Sequence, residues 1–140
     1  MPADVARDYL MAEADNDLWV VVTGVLTFDE ARLPKEDLGT EGKAASTDIP
    51  ARLTGQSLGP DGFARAFDRD IVLRAICLGP WCGRTESGLR HLVFLEQQGA
   101  DYVAQLSPCP AGLYPEPDPE DLARVTTCFT GGRCAPEALR

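Results

Sequence analysis

Residues 18–28 read L-W-V-V-V-T-G-V-L-T-F, and no other stretch of the chain is as strongly apolar. Val and Thr dominate it, and β-branched residues pack well on a pleated surface. Leu18, Val20, Val22, Leu26 and Phe28 alternate onto one face. The other face holds Trp19, Val21 and Val25, so both sides of this strand expect cover. Gly24 interrupts it where a bulge or tight coil would let one strand serve two sheets. The run is far shorter than the ~20 residues needed to cross a bilayer as a helix, so no membrane span is expected.

Working outward, Asp4 is placed to cap a short helix with Val5, Tyr9 and Ala12 on one face, ended by the acidic run Glu13 to Asp17. Asp29 to Asp48 is polar, has no period and reads as a long surface loop. A weaker strand follows over Ile49–Gly55, with Pro50 placing its start at an edge. Leu58–Asp70 reads as a turn-rich link. Ile71–Leu78 is a strand stopped by Gly79 and Pro80. Leu89–Glu96 and Tyr102–Ser107 are strands joined across Gln97-Gln98-Gly99-Ala100, a hairpin-length connection. Five prolines exclude regular structure from Pro108 to Pro119, and Pro119–Phe129 is helical with Leu122, Val125 and Phe129 in a stripe. The expected architecture is mostly β: a small five-stranded antiparallel barrel, flanked by short N- and C-terminal helices, in one domain over residues 1–140.

Composition sets the functional frame. Apolar residues at 44% and charged residues at 25% suit a folded globular chain and not a disordered one. Thirteen basic against 22 acidic side chains leave a formal charge of −9, and the arginines are scattered. Nucleic-acid affinity rests on cations neutralising phosphates, so neither DNA nor RNA is an expected partner.

All five cysteines lie in the second half: Cys77, Cys82, Cys109, Cys128 and Cys134. None of their spacings is the C-x2-C knuckle of a zinc site, and His91 is the one histidine, so metal and cofactor are both expected to be absent. Disulfides are the expectation, with an oxidising compartment: secreted or periplasmic. No charged and apolar leader opens the chain, and the cysteine count is odd. Both fit a leader, and a sixth cysteine near it, that lie upstream and have been removed. Cys128–Cys134 is the favoured local pair because Gly131-Gly132 allows a tight turn.

Candidate chemistry is sparse. Asp29/Glu30, Asp68/Asp70 and Glu116/Asp118/Glu120/Asp121 are paired carboxylates in turns, where acids are ordinarily solvated. The last group lacks the D-x-D-x-D-G order of a calcium loop, and Asp118 or Glu120 suits the terminal helix's N-terminus. Alternation places His91 with Val93 and Leu95, as a partly buried, hydrogen-bonded residue. Ser87 and Ser107 lack a G-x-S-x-G setting, and Gly79, Gly83 and Gly88 form no phosphate loop. Trp81, with Arg84 close behind it, is the candidate protein contact, with packing over a disulfide as its rival role.

A wider pattern joins these segments: A-D-N-D before L-W-V-V-V-T-G-V-L, a later W-C-G, then G-L-R-H-L-V-F-L, Y-V-A-Q-L-S-P-C, a helix and a final cysteine. From about Tyr9 to Cys134 this resembles the netrin-module family, which includes the tissue inhibitors of metalloproteinases. The resemblance implies an OB barrel flanked by helices and stapled by disulfides. By it, Cys82 is similar to the family's C-G cysteine, Cys109 to the one after the fifth strand, and Cys128 or Cys134 to the terminal one. One further bond is expected among Cys77, Cys82 and Cys109, with Cys82–Cys109 or Cys77–Cys109 preferred. Those inhibitors chelate a target's zinc through an N-terminal cysteine, and no cysteine precedes Cys77. That mechanism is therefore not carried over. The abundance of Ala, Gly, Arg and Pro suits a bacterial gene, and bacterial relatives of this module are largely secreted. The expected function is a non-catalytic, extracytoplasmic module that binds a protein or envelope component. The alternatives are a small hydrolase, a thiol-redox enzyme or a protease inhibitor.

Overall fold

The computed structural model describes residues 4–14, 18–34, 46–109, 111–132 and 134. Helix α1 (Val5–Ala14) leads into β1 (Trp19–Phe28), and a 3-10 turn at Glu30–Arg32 follows. The chain continues through β2 (Ser46–Gly59), β3 (Gly62–Leu78), β4 (Trp81–Cys82), β5 (Arg90–Gln98), β6 (Asp101–Leu106), β7 (Leu113–Pro115) and α2 (Pro119–Phe129).

All seven strands join one sheet, and five of them close a hydrogen-bonded ring: β1 to β2, β2 to β3, β3 to β6, β6 to β5, and β5 back to β1. Four of those contacts are antiparallel and β3–β6 is parallel, over Val72–Ala75 and Val103–Leu106. This corrects the all-antiparallel expectation, and the reason is parity. Directions can alternate all the way round only when the ring has an even number of strands, so five force one parallel neighbour.

β1 is the hinge of the ring. Its first part pairs with β5 and its later part with β2, and residues 22–25 pair with both. Gly24 stands opposite Gly55. A Cβ on Gly24 would lie 2.5 Å from the Thr54 carbonyl oxygen, and one on Gly55 would lie 2.1 Å from that of Thr23. The strands come this close because neither residue has a side chain.

Both faces of β1 are covered, as its sequence requires. Val22 and Leu26 join Ile49, Leu53, Ile71, Leu73, Val93 and Leu95 inside the ring. Val21 lies outside with Leu92 and Phe94, under Val5 of α1 and Val125 of α2. Asp4 caps α1, its carboxylate accepting from the Ala6 and Arg7 amides at 2.9 and 3.1 Å. A capping box of Asp118 and Asp121, with Pro119 in the first turn, starts α2. The Asp4 carboxylate also takes Arg124 of α2 at 3.2 Å, tying the helices together.

The stretch read as a turn-rich link, Leu58–Asp70, is instead the end of a long hairpin. β2 and β3 pair from Ser46/Ile76 to Gly59/Gly62 and turn across Pro60-Asp61. Much of this arm is exposed on both faces, so selection imposes no alternation on it, and the strand signal is lost. Pro50 lies beyond the last β1 pair and has only β3 beside it, a local edge where its missing N–H is tolerated. The proline-rich stretch holds the short β7, and β4 forms beyond Gly79-Pro80. Of the Asp29–Asp48 loop, residues 35–45 lie outside the described residues, as do Asp15, Asn16 and Asp17.

Candidate functional site

The cysteines place the site. Cys128 and Cys134 are bonded, and Cys134 brings that staple to 3.9 Å from the Ala6 carbonyl of α1. The second bond joins Cys77 to Cys82, and Cys109 is free and exposed. This corrects the preference for a bond to Cys109. The turn at Gly79-Pro80 folds β4 back on β3 and sets Cys77 opposite Cys82, with Cα atoms 4.0 Å apart. Cross-strand neighbours in a hairpin are within disulfide reach without any long-range closure. Sequence spacing gave no sign of that turn-and-return, because β4 is only two residues long.

The stapled hairpin forms one wall of a cleft of about 570 Å³. Leu78, Trp81 and Cys82 line this wall, Leu113 and Pro115 of β7 line the other, and Leu106 and Pro108 lie between them. Trp81 is 62% exposed and Leu78 51% exposed, so most of both side chains meets solvent. Arg84, Thr85, Ser107 and Cys109 add the polar part of the lining. Leu113, Pro115 and Leu106 were missed as site residues. Nothing short of the strand pairing brings them to Trp81.

The loop after β4 is tied down along its length. Arg84 donates to the Pro34 carbonyl at 3.0 Å, the Phe28 amide donates to Ser87 Oγ at 2.9 Å, and the Gly88 amide donates to the Leu26 carbonyl at 2.7 Å. Gly83 packs its backbone on Leu106, where a Cβ would lie 2.2 Å from the carbonyl oxygen.

His91 is fully buried, more than its sequence position indicated. Its Nδ1 lies 2.9 Å from the Leu89 carbonyl, which can only accept, so Nδ1 carries the proton. Nε2 then accepts from the Thr85 hydroxyl at 2.7 Å. Burial holds the imidazole below its ordinary pKa, against the smaller opposing effects of the Leu89 carbonyl and Glu116. A hydroxyl bonded to an oriented imidazole has the connectivity of a nucleophile and its base. It also satisfies two polar groups that burial would otherwise leave unpaired.

Most of the candidate carboxylates are engaged elsewhere. Asp68 and Asp70 hold Arg52 at 2.8 and 3.0 Å, and this guanidinium lowers the Asp68 pKa. Asp29 accepts from the Ala31 amide, and Asp118 and Asp121 form the α2 capping box. Among the described residues no group of three His, Cys, Asp or Glu side chains is placed to hold a metal ion. No helix there is long and apolar enough to cross a membrane.

The fold and site define a mostly β protein with two disulfides and an aromatic-lipped cleft at the end of its strand ring. Compared with protein-family models, curated proteins and solved structures, the chain finds no match.

Proposed function

We propose that this protein is a non-catalytic, extracytoplasmic binding module of OB-barrel type that engages a protein or envelope component through the Trp81 loop. One observation carries this reading. A tryptophan on a disulfide-held hairpin stands exposed at the lip of an apolar cleft. Buried aromatic anchors dominate binding energy, and a rigid loop loses little entropy on docking. The ring order supports the OB-type assignment. The two disulfides support an oxidising compartment.

Affinity capture from an extracytoplasmic extract, with full chain and Trp81→Ala in parallel, tests the reading. Capture of a partner that depends on Trp81 is expected, and capture unchanged by the substitution overturns it. Single-stranded DNA and RNA are expected to give no mobility shift at low salt, the condition most generous to electrostatic binding. Micromolar binding there would also defeat the proposal. The Thr85–His91 bond favours a second reading, a small hydrolase. Ester turnover lost in Thr85→Val and kept in Trp81→Ala would establish it instead.

A further inference from the structure

β7 has a free edge. The Phe94 amide donates to the Gly112 carbonyl at 2.8 Å, and the Glu116 amide donates to the Arg90 carbonyl at 2.7 Å. Tyr114, between them, is in register with Leu92. The Gly112 carbonyl, Tyr114 and the Glu116 amide thus turn toward β5, while the Gly112 amide donates to Asp8. Successive residues of a strand face opposite edges, so Leu113 and Pro115 turn theirs away. Among the described residues the Leu113 N–H and the Leu113 and Pro115 carbonyls have no hydrogen-bond partner, and no strand pairs with β7 on that side.

Leu113 and Pro115 both line the cleft, Pro115 exposed and Leu113 largely buried. β1 occupies one edge of β5, leaving β7 and β6 to share the other, at His91–Val93 and Glu96–Gln98. β6 then diverges to run beside β3, which continues into β4. The cleft is the wedge left open between β7 and the β3–β4 hairpin, and its volume suits a few residues of chain. Its charge is also distinctive. On a chain of formal charge −9, Arg84 is, among the described residues, the single charged one lining the cleft, and it makes no ion pair with any of them.

We infer that the cleft takes a short extended segment of a partner protein as an added strand on β7. The inference rests on the binding reading above and names its ligand. The segment's main chain bonds to the Leu113 N–H and to the Leu113 and Pro115 carbonyls, the β-augmentation mode of peptide recognition. An apolar side chain of the segment lies against Trp81 and Leu78, and a carboxylate meets Arg84. Pro115 offers an acceptor and no donor, which keeps the paired stretch short and guards the edge against open-ended sheet growth.

The probe is a phage-displayed library of random nine-residue peptides, selected on the full chain. Enriched sequences are expected to combine an apolar residue with Asp or Glu, and Arg84→Glu should turn the acidic preference basic. N-methylation along the best peptide should weaken binding at least tenfold at alternate positions and leave the intervening ones unchanged. The Leu113 amide resonance should shift on binding. Peptides that need Trp81 but tolerate N-methylation everywhere, with Leu113 unmoved, overturn the added strand and leave the Trp81 surface standing. A selection that returns no sequence, or only sequences indifferent to Trp81→Ala, overturns both.

Discussion

The two ends of the molecule hold their apolar surface differently, although Met11 and Leu18 are exposed at the helix end as Trp81 and Leu78 are at the cleft. On the helix-covered face, Val21, Leu92 and Phe94 are buried under Val5 and Val125, and the charges beside them are matched. Asp4 holds Arg124, and Asp8 accepts from the Gly112 amide at 2.9 Å and from the Tyr114 hydroxyl. At the cleft, Trp81 and Leu78 face solvent, although the loop that follows them is held by a disulfide and a series of hydrogen bonds. Large apolar side chains are ordinarily left out where a chain is loose. Here the chain is fixed and the side chains are still uncovered, as the proposed contact surface requires.

Substitution should separate the two ends sharply. Leu92→Ala removes a fully buried side chain beneath the helices and should cost about 2–5 kcal/mol in denaturant unfolding while leaving partner capture intact. A loss below 1 kcal/mol would mean that the helix layer packs loosely. The disulfides come next. Their sequence separations are 5 and 6, so the chain-entropy model assigns each about 2 kcal/mol. Replacing Cys128 and Cys134 with serine should therefore cost as much as replacing Cys77 and Cys82, yet only the second change should abolish binding. In protein purified without reductant, mass spectrometry should find one alkylatable thiol, Cys109, and five would refute both bonds.

The contrast was half legible in the sequence. A strand apolar on both faces announced two layers, and Val5, Tyr9, Leu122 and Val125 announced the helices that provide the outer one. The local disulfide at Cys128–Cys134 was legible from its glycines. What the sequence hid was long-range or very short. β7 lies in a proline-rich stretch and gains its pairing from β5, and β4 is a two-residue strand whose partner is set by the turn before it. The exposed arm of β3 showed no period because water meets both of its faces. Trp81 and Arg84 could be named from the sequence as contact candidates, but the opposite wall of their cleft, Leu113 and Pro115, required the ring to close first.

Two smaller effects sharpen the comparison. Asp4→Ala removes the α1 cap and leaves the Arg124 guanidinium without that carboxylate, and should cost about 1–3 kcal/mol. His91 links stability to pH. Its folded pKa lies below the ordinary 6.5 of the unfolded chain. Above about pH 6.5 neither state holds the proton, so the stabilisation is complete. As pH falls below that, the unfolded chain binds a proton that the buried ring refuses, and stability declines until the folded group also protonates. The slope is at most about 1.4 kcal/mol per pH unit, and His91→Gln should flatten it between pH 7 and 5.5. An unchanged slope would assign the effect to other groups.

The smallest stability change should come from a residue central to binding. Trp81 is 62% exposed, so Trp81→Ala removes few buried contacts and should shift unfolding by about 0.5 kcal/mol or less. The loop keeps its disulfide, its bond from Arg84 to Pro34 and its bond from Phe28 to Ser87, none of which involves the indole. Partner capture should nevertheless fall at least tenfold, since truncating a central aromatic anchor commonly costs 2 kcal/mol or more, roughly thirtyfold in affinity. The same substitution measured by denaturant and by capture therefore gives opposite rankings against Leu92→Ala. If Trp81→Ala destabilises the fold as much as Leu92→Ala does, the indole is part of the core and the distinction between the two ends fails.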